Sequence, residues 1–110
     1  MASVVLIRDI MSKEVKVVRP DTSIKEVVAT MNKFDIGSIV VVQGGRPVGI
    51  VTERDILRRI VEPCLAPETL TARQVMSSPV LTINETASID EAAKLMAKKR
   101  VKKLPVMNNQ

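Results

Sequence analysis

The sequence predicts a mixed α/β fold built from two related halves. Three observations carry that expectation: an internal repeat at an offset of 65 residues, matching helix-start signatures in both copies, and a glycine-glycine hairpin signal in the first copy. A chain of 110 residues makes one domain, or two halves sharing a core. Its 45% apolar and 26% charged residues are the balance of a chain that folds.

Sliding the sequence on itself lays Met11-Ser12 on Met76-Ser77 and runs on without a gap to the C-terminus. Val15/Val80, Ser23/Ser88, Ile24/Ile89, Glu26/Glu91, Met31/Met96, Lys33/Lys98 and Val41/Val106 are identical pairs in that register. Each copy opens with a β-branched run, residues 15–18 and 80–83, followed by turn-forming residues, and so reads as a strand. Ser23-Ile24-Lys25-Glu26 and Ser88-Ile89-Asp90-Glu91 are capping boxes, in which a serine hydroxyl accepts from the third residue's amide. Behind them Ile24, Val27, Val28 and Met31, and likewise Ile89, Ala92, Ala93 and Met96, mark one apolar helix face. Residues 38–43 and 47–52 flank Gly44-Gly45 and predict a hairpin. Ile56, Leu57, Ile60 and Val61 then stand at helical spacing, and Pro63 and Pro67 end that helix. The first motif is therefore strand, helix, strand, strand, helix over residues 1–62, with a linker at 63–71. The second motif, residues 72–110, reaches the equivalent of the first hairpin strand at 104–107 and is incomplete.

The absences narrow the function. With no histidine and one cysteine, Cys64, the chain has no His/Cys zinc site, Ser-His-Asp triad or Cys-His pair. No carboxylate pair stands in a general-base context, so neither a catalytic nor a metal-ligating set is expected, nor any required cofactor. No apolar run exceeds the four residues of Ile39-Val40-Val41-Val42, far too few to cross a bilayer, and no leader pattern opens the chain, which predicts a soluble cytoplasmic protein without a membrane partner. Phe34 is the only aromatic residue, so single-stranded bases have nowhere to stack. The net charge of +5 nevertheless suits an anionic partner.

The repeat, taken with Asp9-Ile10-Met11-Ser12, Ile36-Gly37-Ser38-Ile39-Val40-Val41-Val42 and Gly49-Ile50-Val51-Thr52-Glu53-Arg54-Asp55, resembles a tandem pair of CBS (cystathionine β-synthase-type) domains over nearly the whole chain. The resemblance implies two β-α-β-β-α motifs packed sheet to sheet with pseudo-twofold symmetry. It also implies homodimers and adenosyl ligands bound in clefts between the motifs.

Thr52 and Asp55 stand where a strand gives way to a helix, a place that favours an anion. Asp55 has the chemistry to accept from both hydroxyls of a ribose, as acids do in other nucleotide sites. An acid in a helix's first turn is equally explained by the helix dipole. In similar CBS pairs, Thr and Asp at these positions contact phosphate and ribose, the strand opening the second copy faces adenine, and basic residues before its Leu-Pro-Val reach toward phosphate. Those residues here are Val80 and Leu81, and Lys102 and Lys103. The lysines end a run, residues 98–103, with five cations in six positions, a pattern that also suits a solvated face.

The sequence therefore points to a non-enzymatic regulatory module sensing AMP, ADP or ATP through Thr52, Asp55, Val80, Leu81, Lys102 and Lys103, and acting on a separate regulated protein. A cationic S-adenosylmethionine suits the two lysines less well. A basic nucleic-acid-binding module and a purely structural dimerisation module are the other readings.

Overall fold

The computed structural model describes residues 11, 15–100 and 104–107. It divides into two compact units, one of Val15–Val80 and one that includes Leu81–Gln110.

In the first unit, β1 (Val17–Val18), β2 (Ser38–Gln43) and β3 (Arg46–Thr52) form a sheet in that spatial order. β1 runs parallel to β2, with Val18 opposite Val41, and β2 runs antiparallel to β3. Gly44 and Gly45 turn the hairpin at φ +60° and +74°, values that a two-residue turn demands and side chains resist. Val41 faces Gly49 but Val42 faces Pro47, so β3 carries a bulge at Val48. A bulge is where a strand tolerates proline's missing N–H.

Helix α1 (Ile24–Phe34) starts as the sequence predicts, with the Ser23 hydroxyl accepting from the Glu26 amide at 3.2 Å. It stops at Asp35, which is left-handed at φ 51°, and the Ile36 amide closes the end on the Met31 carbonyl at 3.0 Å. Its buried stripe of Ile24, Val27 and Met31 packs with Ile39 and Val41 of β2 and Val51 of β3, alternate positions that share one sheet face. Each such side chain withdrawn from water contributes ~1.5–3 kcal/mol.

Helix α2 (Glu53–Ile56) continues directly as a π turn, Leu57–Val61, with the Glu62 amide bonded to the Leu57 carbonyl at 2.8 Å. The expected apolar face is split as a result. Ile60 is 2% exposed and joins the core, whereas Leu57 and Val61 are 59% and 57% exposed, because the wider turn rotates them off the buried side.

The stretch expected as a linker carries a 3-10 turn (Pro67–Thr69) and leads into the short helix α3 (Ala72–Val75). The Ile24 amide donates to the Leu70 carbonyl and the Ala72 amide to Thr22, both at 2.8 Å, and Ala72 and Val75 are core residues of this unit. The compact unit Val15–Val80 therefore includes the 63–71 stretch and the opening residues 72–80 of the second motif.

The second unit repeats the first in register. β4 (Ile83–Asn84) pairs in parallel with β5 (Val106–Met107), and Ile83 opposite Val106 is the image, 65 residues on, of Val18 opposite Val41. Helix α4 (Ile89–Lys99) is the same image of α1, down to its left-handed end at Arg100, φ 56°. Among the described residues no helix is long and apolar enough to cross a membrane.

Candidate functional site

Thr52 closes β3 and caps α2, and Asp55 is the only buried polar or charged residue among those described, at 8% exposure. The two form a reciprocal capping box. The Asp55 amide donates to Thr52 Oγ1 at 3.2 Å, while Asp55 Oδ2 accepts from the Thr52 amide at 2.9 Å and from its hydroxyl at 3.0 Å. Thr52's hydroxyl proton is therefore directed at Asp55. The Glu53 amide is also engaged, by the Gly37 carbonyl at 3.0 Å. These are the groups that the sequence alone suggests would meet a phosphate.

The other carboxylate oxygen looks outward along the chain. Asp55 Oδ1 accepts from the Ser77 hydroxyl at 2.8 Å, and Arg59 Nε stands 3.9 Å from it. Arg59, one helical turn after Asp55, spends its Nη1 on the carbonyls of Val75 at 3.1 Å and Met76 at 2.9 Å. Ser77 is itself held by two backbone bonds to Ile50 of β3, at 2.9 and 3.1 Å. Asp55, Arg59 and Ser77 thus tie α2, the 75–77 segment and the edge of β3 into one polar cluster.

Gly49 lets that segment come close. A Cβ at Gly49 would overlap the Met76 sulfur and stand 2.7 Å from its Cγ. Gly49→Ala is expected to push Met76 away and to lower stability by about 1–3 kcal/mol in urea denaturation. Full stability in that variant would mean that Met76 does not press on β3.

Of the six predicted ligand residues, the structure brings together Thr52 and Asp55. Val80 is half-buried at the end of the same unit, Leu81 is half-buried and belongs to the other unit, and Lys102 and Lys103 lie outside the described residues. Sequence reasoning missed Ser77 and Arg59. Two signals were present: Arg59 follows Asp55 at i+4, and Ser77 is one of the identical repeat positions, paired with Ser12.

A separate concavity of this unit lies away from this cluster. A groove of about 1040 Å³ runs between the end of β1, the Gly44-Gly45 turn and Arg73, and Arg73 donates there to Gln43 at 3.1 Å. It is wide open and offers no buried, unpartnered polar side chain. Among the described residues no three histidine, cysteine or carboxylate side chains group to hold a metal.

The CBS domain model matches residues 7–62 and 72–110. An uncharacterized protein of Methanopyrus kandleri is 36% identical over 91 residues, covering 82% of this chain but only 46% of its own length. The chain therefore spans under half of that relative. The crystal structure of an uncharacterized conserved protein from Pyrococcus horikoshii is similar at a TM-score of 0.87 and 31% identity, over 99% of this chain and 83% of its own. A CBS domain pair solved in complex with 5′-methylthioadenosine and S-adenosyl-L-methionine is similar at a TM-score of 0.85 and 27% identity, over 97% of this chain and 83% of its own. With the family model matching both copies of the repeat, and with the fold shared by a solved CBS domain pair, the chain belongs to the CBS domain family as a tandem pair.

Proposed function

We propose that this pair is a regulatory module that binds an adenine nucleotide, AMP, ADP or ATP, and carries out no chemistry of its own. The observation that carries the reading is the buried Asp55 carboxylate at the β3–α2 junction, preorganised by its capping box and presenting Oδ1 away from it. A fixed carboxylate beside a strand end is the acceptor that a ribose diol requires. The adenosyl compounds in the similar CBS pair support the same ligand class. The net charge of +5 favours a phosphorylated member of that class. Binding would act on a separate protein, or through the geometry of a homodimer, by stabilising one arrangement over another.

That neighbour's S-adenosyl-L-methionine makes this sulfonium ligand the second reading. Nucleic acid is less well served, since Phe34 already has the Lys16 ammonium 4.2 Å from its ring centroid.

Melting curves recorded with AMP, ATP and S-adenosylmethionine separate these readings. A nucleotide at a hundred times its Kd should add about 2.7 kcal/mol of apparent stability. A response to S-adenosylmethionine alone would favour the second reading, and no response to any of the three would reject both.

A further inference from the structure

The geometry points to Ser77 as a specificity-determining residue that competes with the ligand's own ribose for Asp55, an inference that rests on the nucleotide reading above. A carboxylate offers about four acceptor positions, two on each oxygen. Oδ2 has both filled, by the amide and the hydroxyl of Thr52. Oδ1 has one filled by the Ser77 hydroxyl, and Arg59 Nε at 3.9 Å is beyond hydrogen-bond reach. Among the described residues one acceptor position is open, whereas a ribose presents two adjacent hydroxyl donors. For both to bond, one donor already on Asp55 must leave.

Ser77 is the donor that can leave. Releasing Thr52 would break the cap of α2, in which the Thr52 amide and hydroxyl both donate to Asp55 Oδ2. The Ser77 hydroxyl is a single rotor on a backbone held independently by Ile50, and it turns away without moving the chain. A ribonucleotide therefore binds at the expense of the Ser77–Asp55 bond. A 2′-deoxynucleotide brings one hydroxyl, fits the open position and leaves Ser77 in place. Ser77 thus narrows the preference for ribose over deoxyribose.

The test is titration calorimetry of AMP and ATP, each beside its 2′-deoxy form, on the wild-type chain, Ser77→Ala and Ser77→Thr. Ser77→Ala should tighten ribonucleotide binding by about 3- to 10-fold and leave 2′-deoxynucleotide binding within twofold, so that the ratio widens. Ser77→Thr, which keeps the hydroxyl, should restore the wild-type ratio. Weaker or unchanged ribonucleotide binding by a folded Ser77→Ala would overturn the inference while leaving the nucleotide reading intact. If the wild-type chain binds neither AMP nor ATP, the nucleotide reading fails and this inference falls with it. Should Ser77→Ala not fold, the Ser77 Cβ resonance of the wild-type chain decides: it should move with saturating AMP and stay with 2′-deoxy-AMP, and equal movement with both refutes the exchange.

Discussion

Replacing Asp55 with alanine is expected to abolish nucleotide binding and to lower stability by about 2–3 kcal/mol. Both effects come from one carboxylate. Its removal leaves the Thr52 amide without its cap partner and the Ser77 hydroxyl without its acceptor, in a place where the side chain is only 11% exposed. A buried donor left unsatisfied costs about 1–3 kcal/mol, and loss of a helix cap typically ~1 kcal/mol. Urea denaturation measures the stability and calorimetry with AMP or ATP measures the binding. The functional and structural roles separate in Ser77→Ala, which loses one bond of the same cluster yet should bind ribonucleotides more tightly. Nucleotide binding by a folded Asp55→Ala at wild-type strength would reduce Asp55 to a helix cap.

Ile24→Ala is expected to cost about 3–4 kcal/mol, as befits a large aliphatic side chain withdrawn fully from water. Ile24, the first residue of the α1 stripe, is fully buried in the core with Ile39, Val41 and Val51 of the sheet, and its amide also anchors the Leu70 carbonyl. Leu57→Ala, at 59% exposure, should cost under ~0.5 kcal/mol. Denaturation midpoints of the two variants check the pair. A similar loss in both would show that the exposed face of the π turn is covered in solution, and a small loss at Ile24 would contradict the packing described for α1.

The comparison of Ile24 with Ile89 shows how far local sequence reaches. The two occupy the same repeat position behind the same serine cap, and both begin an eleven-residue helix. The left-handed stops at Asp35 and Arg100 came from the structure, whereas the cap and the apolar spacing are short-range properties, so they were legible in both copies. The same holds for the Gly44-Gly45 turn, whose positive φ values only glycine adopts cheaply. Yet Ile24 is fully buried and Ile89 only half-buried. No window of eleven residues contains the neighbours that make that difference.

At the candidate site, Thr52 and Asp55 were singled out at the strand–helix junction, and the bond between them spans only three residues. Ser77 reaches Asp55 across 22 positions, and Arg59 reaches the Met76 carbonyl across 17. Those partners meet only because Gly49 lets Met76 lie against β3 and Ile50 pins Ser77 to the strand edge. Taken alone, the amino-acid order settled the two capped helices and the glycine hairpin, since each depends on residues within a turn or two of one another. Which donors hold Asp55, and which of its lone pairs stays open, was decided by the packing of distant segments.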